Sequence, residues 1–103
     1  MEQDSVSLGG NIELAGFNAL DSGSLVILKK IIGNYAKRLS KKSDKFEKIK
    51  LTMKTMHERE KSEIYEVKGH LFLGGNPIFA EESDRNLFFA LDKVLKRIDE
   101  QVG

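Results

Sequence analysis

The sequence predicts an α+β fold: a two-layer sandwich in the order β-α-β-β-β-α, with two helices on one face of a four-stranded sheet. Two kinds of pattern carry this expectation. Four stretches alternate apolar and polar residues, the period of a half-buried strand. Two longer stretches repeat apolar residues at three- and four-residue steps, the period of an amphipathic helix. Helices set apart from a largely antiparallel sheet, with their apolar stripes turned toward it, make such a two-layer architecture.

The elements follow in chain order. Residues 1–10, "MEQDSVSLGG", are acidic and polar and end in two glycines; they read as a disordered leader, leaving residues 11–103 as a single domain. "NIELAGF" puts Ile12 and Leu14 on one side and reads as the first strand. "ALDSGS" is a turn in which Asp21, Ser22 or Ser24 can cap the next helix. In that helix Leu25, Leu28, Ile32, Tyr35 and Leu39 share one face, and Lys30, Asn34, Lys37, Arg38 and Lys41 lie opposite; it should end near "KKSDK". "KIKLTMKTMH" alternates again, with Ile49, Leu51 and Met53 on one side and Lys50, Thr52 and Lys54 on the other. After the polar turn "EREKSE", the strand "IYEVKGHLFL" sets Tyr65, Val67 and Leu71 against Glu66, Lys68 and His70. "GGNP" is a tight turn, "IFAE" a short strand, and the last helix runs from about Ser83 nearly to the end on the stripe Leu87, Leu91, Val94, Leu95, Ile98 and Val102. The first and second strands, joined through a helix, can pair in parallel. The core is expected to hold Leu28, Ile32, Tyr35, Leu39, Leu51, Met53, Val67, Leu71, Leu91, Val94 and Ile98.

The composition excludes several kinds of chemistry. At 103 residues the chain has room for one modest core, and 40% hydrophobic content suffices to fill it. It has no cysteine, so it has no disulfide, thiolate metal site or cysteine nucleophile. No apolar h-region opens it, and the apolar run Leu25 to Leu28 stops at Lys29 and Lys30, far short of a membrane span. The two histidines, His57 and His70, are not spaced as metal ligands, and no glycine-rich nucleotide-binding motif occurs. Glu81, Glu82 and Asp84 could bind a cation, but read more simply as favourable charge at the start of the last helix. The expectation is a non-enzymatic protein with no cofactor, no metal, no small-molecule substrate and no membrane partner.

Charge is the informative feature. Ten basic residues and two acids lie between Lys29 and Lys54, a net of +8 in a chain whose total is +1. A plain solvated helix would mix acids among its lysines. Here the stripe lacks them, and the charge continues into the next strand through Lys48, Lys50 and Lys54. An extended basic stripe finds its usual partner in a phosphate backbone. The residues expected to meet RNA are Lys29, Lys30, Lys37, Arg38, Lys41, Lys42 and Lys45, together with Arg85, Phe89, Lys93, Lys96 and Arg97 around the last helix. Phe89 falls opposite that helix's core stripe. It has two readings: it plugs the groove beside the first helix, packed by Tyr35 or Ile31, or it stacks on an exposed base.

One stretch carries a resemblance. "YEVKGHLFLGGNPIFAEESDRNLFFALDKVLKRIDEQV" resembles the end of the domain shared by ribosome hibernation-promoting factors and ribosome-associated inhibitors, through Ala90, Leu91, Asp92, Lys93, Arg97 and Gln101. "NIELAGFN" is similar to that family's opening strand, and β-α-β-β-β-α is its fold. The chain departs from the family in Asn86 for an aspartate, Phe88 for a tyrosine and Phe89 for an alanine. The resemblance implies a cytoplasmic inhibitor of translation, a hibernation or stress factor. Such a protein binds the small ribosomal subunit near the decoding region and turns the basic side chains of both helices to ribosomal RNA. A general structured-RNA-binding domain, and a protein-interaction module using the acidic half of the chain, are the alternatives.

Overall fold

The computed structural model describes residues 5–7, 11–18, 20–58 and 62–102. The elements are β1 (Ser5–Ser7), β2 (Ile12–Ala15), α1 (Ser22–Lys42), β3 (Phe46–Glu58), β4 (Ser62–Leu73), β5 (Asn76–Asp84) and α2 (Leu87–Val102). The α+β fold with two helices and the order read from the sequence is the observed one. The four expected strands lie side by side as β2-β3-β4-β5, β2 pairing in parallel with β3 and the others antiparallel.

The alternation of the strands sets what faces the helices. Ile49, Leu51 and Met53 of β3 and Val67, Gly69 and Leu71 of β4 are buried, while Lys48, Lys50, Thr52 and Lys54 take the other side. The pairing register places Leu14, Leu51, Gly69 and Ala80 in one row across the four strands. Over this row lie the stripes of both helices: Leu28, Ile32, Ala36 and Leu39 from α1, and Leu87, Ala90, Leu91, Val94, Leu95 and Ile98 from α2. Every residue expected in the core is buried except Tyr35, which packs on the core only in part. Its phenol sits among Asp92, Lys96, Arg38 and Asp99 at the seam between the helices.

Small residues in the central row decide how closely α2 can sit. A Cβ at Gly69 would come within 2.7 Å of Val94 Cγ1 and 2.8 Å of Ile98 Cδ1. The helix therefore rests on bare β4 backbone. The β4–β5 hairpin turns in two residues, Gly74 (φ 50°) and Gly75 (φ 92°). Two successive positive φ values match the twist of the flanking strands, and glycine adopts them without steric cost.

Both helices are capped by side chains. Asp21 has extended backbone and accepts from the Ser24 N–H at 3.0 Å and from the Ser24 hydroxyl at 2.8 Å. Asn86 Oδ1 accepts from the N–H groups of Phe88 (2.9 Å) and Phe89 (3.2 Å), and the Asn86 N–H donates to Asp84 Oδ1 at 2.9 Å. The N–H groups of Ser24, Phe88 and Phe89 are donors that a helix start leaves without intrahelical partners.

Three boundaries differ from the sequence reading. Ser5–Ser7, inside the expected disordered leader, pair antiparallel with Glu13–Ala15 as a fifth, edge strand. Residues 1–4 and 8–10 of that leader, and 59–61 of the "EREKSE" turn, lie outside the described residues. β5 is nine residues long rather than four, because it follows β4 as far as the Tyr65–Asp84 pair. α2 consequently starts at Leu87, not near Ser83. Glu81, Glu82 and Asp84 are strand residues and do not supply acidic charge in the helix's first turn.

Two substitutions test this packing. Gly69→Ala forces Val94 and Ile98 away from the sheet and is expected to cost about 1–3 kcal/mol. Leu91→Ala leaves a cavity under α2 and is expected to cost about 2–5 kcal/mol. Chemical denaturation reads both. An unchanged Gly69→Ala midpoint would mean that α2 does not lie this close to β4.

Candidate nucleic-acid interface

The expected RNA-binding residues divide into groups according to what the fold puts beside them. On α1, Lys30, Lys37 and Lys41 are exposed with Asn34 on the outer face, because the opposite stripe is fixed in the core. Lys37, Arg38, Lys41, Lys42 and Asn34 line one shallow groove along the helix. Lys29 is half-buried on the α1 flank, and Lys45 is exposed just before β3 with its stem beside the Gly74 turn. Among the described residues, none of Lys29, Lys30, Lys37, Lys41 and Lys45 has an acidic partner within ion-pair distance.

Arg38 and Lys42 are placed differently. Both reach across to α2 and hold Asp99: Arg38 Nη2 lies 3.3 Å from one carboxylate oxygen, and Lys42 Nζ lies 2.8 Å from the other. Lys42 also donates to the Asp99 carbonyl at 2.9 Å. The Asp99 side chain is only 14% exposed, so this contact is partly desolvated and ties the two helices together. Arg38, with 64% of its side chain exposed, still faces solvent beside the lysine groove.

The basic residues of α2 each have an acid at hand. Lys93 meets Asp84 at 2.9 Å, Lys96 meets Asp92 at 3.3 Å one turn earlier, and Arg97 meets Glu82 of β5. The spacing of Lys93 and Arg97 along α2 is right for this, since both point over the β5 edge. A stripe that reads as basic along the helix is thus neutralised across the fold. Arg85 is exposed between β5 and α2, in a shallow hollow with Asp21, Ser24, Tyr65 and Phe88 at the helix N-termini.

Phe89 is 61% exposed. This corrects the groove-filling reading: neither Tyr35 nor Ile31 covers the ring. Its neighbour Phe88 instead packs on the core and lines the hollow with Leu20 and Ser24 of the α1 start. Asn86 fixes the phase of α2 by capping it, which turns Phe88 inward and Phe89 outward. Val26 (61%) and Ile27 (51%) on the first turns of α1 are exposed as well, and the sequence reading did not single them out.

The basic run itself does not stay on one side. Lys48, Lys50 and Lys54 alternate with buried residues of β3 and so point away from the helices. The charge divides at the helix-to-strand transition, where the period changes from 3.6 to 2. Lys48 lies 3.5 Å from Glu13 on that far side. Among the described residues no group of three potential ligands could hold a metal ion, and no helix is long and apolar enough to cross a membrane.

No known family's sequence profile matches the chain, and no curated protein does. The crystal structure of the N-terminal domain of Protein Y from Thermus thermophilus is similar in fold. It superposes with a TM-score of 0.58 at 16% identity, over 94% of this chain and 96% of that one. The likeness is one of fold, and it agrees with the α+β architecture expected from the sequence.

The caps make an acid limb of stability. The Ser24 N–H and hydroxyl hold Asp21, and the Asn86 N–H with Lys93 holds Asp84, below the usual carboxylate value of 3.8. A carboxylate lowered by folding contributes stability above its unfolded pKa and loses it as pH falls through the folded one. The contribution of these two caps should therefore be level from neutral pH to about pH 4 and be lost below that, so the fall of thermal stability in acid should be shallower in Asp21→Asn and Asp84→Asn. A fall of unaltered steepness in both variants would show that these caps do not set the acid limb.

Proposed function

We propose that this chain is a non-catalytic, cytoplasmic protein that binds the small ribosomal subunit through ribosomal RNA and holds it out of translation. The observation that carries the reading is the row Lys30, Lys37 and Lys41 on α1, exposed and without an acidic partner among the described residues, while the bases of α2 are paired. Cations left unpaired on a rigid helix release counterions when they meet phosphates, and a solubilising surface has no need to leave them so. The resemblance of residues 65–102 to the hibernation-factor domain supports the ribosome as the RNA's setting, and the Protein Y domain shares the fold. The position near the decoding region and the blocking of the messenger and transfer RNA channel come from that resemblance. The acidic half of the chain is a poorer docking surface, because Glu82, Asp84, Asp92 and Asp99 are engaged internally.

Co-sedimentation tests this reading. The chain should migrate with purified small subunits, and Lys30→Gln, Lys37→Gln and Lys41→Gln together should release it without altering its melting. Binding to RNA duplexes and hairpins with no preference for the small subunit would make it a general RNA-binding domain. Retention of the triple variant on the subunit would remove the α1 face from the contact.

Phe89 gives a second test at the same surface. With most of its ring exposed, Phe89→Ala should leave the melting temperature almost unchanged. If the ring stacks on a base, subunit affinity should weaken by about 1–3 kcal/mol. Unchanged affinity would leave the ring as surface without a role in RNA binding.

A further inference from the structure

The helices cover one face of the sheet; the other carries an arrangement that the α1 reading does not use. On it β3 presents Lys48, Lys50 and Lys54, β4 presents Lys68, His70 and Phe72, and β5 presents Phe79. The register brings Lys50, His70 and Phe79 into one row across three strands, and Lys48, Phe72 and Pro77 into the next. The His70 and Phe79 rings lie with centroids 4.8 Å apart at 49°, and the Lys48 ammonium sits 5.5 Å from the Phe72 centroid. Phe79 is 47% exposed. Three rings and two lysines thus occupy two adjacent rows of a face that no described element covers.

The acids of this face lie to one side. Glu66 and Glu81 lie near each other in the rows toward the far end of the hairpin. The approach of Glu66, with desolvation and its negative charge, raises the Glu81 pKa. Within the aromatic rows the acid is Glu13, at the β2 margin beside Lys48. Lys50, at the centre, has no acidic partner among the described residues.

We propose that this open sheet face is a second nucleic-acid surface, holding a single-stranded RNA segment with its bases against His70, Phe72 and Phe79 and its phosphates against Lys48, Lys50 and Lys68. Flat π surfaces interleaved with cations match an unpaired nucleotide, which offers a planar base and a phosphate together. A duplex hides its base faces and finds only the cations here. The α1 row has no ring among its lysines and suits phosphates of structured RNA. The two faces lie on opposite sides of the molecule, so one chain can hold folded RNA and a strand at once.

Fluorescence anisotropy with a labelled ten-nucleotide oligouridine, and with an RNA duplex of the same length, tests the proposal on the whole chain. Phe72→Ala combined with Phe79→Ala should weaken oligouridine binding by about tenfold or more, leave duplex binding unchanged and leave the melting temperature in place. Phe79→Trp should keep the affinity. The same factor should separate ring-bearing and ring-less chains when Lys30, Lys37 and Lys41 are all glutamine, so failure of the α1 reading leaves this test intact. Equal oligouridine affinity with and without the rings overturns the proposal, as does an equal loss on the duplex. A protein that binds through these rings while oligouridine does not bind overturns it too.

Discussion

The close seating of α2 on β4 is the constraint from which the rest of the surface follows. Gly69 removes the side chain that would hold Val94 and Ile98 off the sheet. With α2 down on the backbone, its flank comes level with β5, and Lys93 and Arg97 reach Asp84 and Glu82. Its other flank brings Asp99 to Arg38 and Lys42 of α1. The bases nearest the centre of the helical layer are thereby engaged within the fold. The lysines left without acidic partners are those on the outer side of α1, where no acid of a neighbouring element can reach. Packing thus decides which charges are available to a partner, although no single exposed ion pair contributes much to stability.

The two faces of the sheet then differ in kind. The helical face presents point charges on a rigid rod, which suits the regularly spaced phosphates of folded RNA. The open face presents rings among lysines on a pleated surface, which suits bases that are free to stack. Strand period links them: the same basic run feeds α1 and β3, and the change of period between them sends Lys48, Lys50 and Lys54 to the opposite side. A net charge near zero conceals this, since the acids that balance the lysines are spread over the rest of the chain.

Much of the fold was legible because burial imposes a period. The stripe Leu28, Ile32 and Leu39 and the alternation Ile49, Leu51 and Met53 each admit one orientation toward a core, and the structure has them so. Ser5–Ser7 were not legible, because three residues on a sheet edge carry no period; their pairing is set by the open edge of β2. The start of α2 was misplaced because "EESD" has the composition of a helix N-terminus, and only pairing with β4 reveals it as strand. The site was less legible than the fold. That Lys42 serves Asp99, 57 positions away, or that Arg97 serves Glu82, depends on contacts between elements, which composition along one helix does not report. Phe89 was recognised as opposite the core stripe, but its exposure depended on whether α1 came near enough to cover it.

The account's central claim is that unpaired charge on α1, not the paired charge of α2, meets RNA phosphates. The most direct measurement is the salt dependence of small-subunit binding in two triple variants. One carries glutamine at Lys30, Lys37 and Lys41, the other at Lys93, Lys96 and Arg97. Each phosphate that the protein no longer neutralises lowers the slope of log affinity against log salt by about 0.7–0.9. The account predicts that the α1 variant lowers that slope by about 2–3, and that the α2 variant lowers it by less than about 1. An α2 variant that flattens the slope as much as the α1 variant, or more, would contradict it.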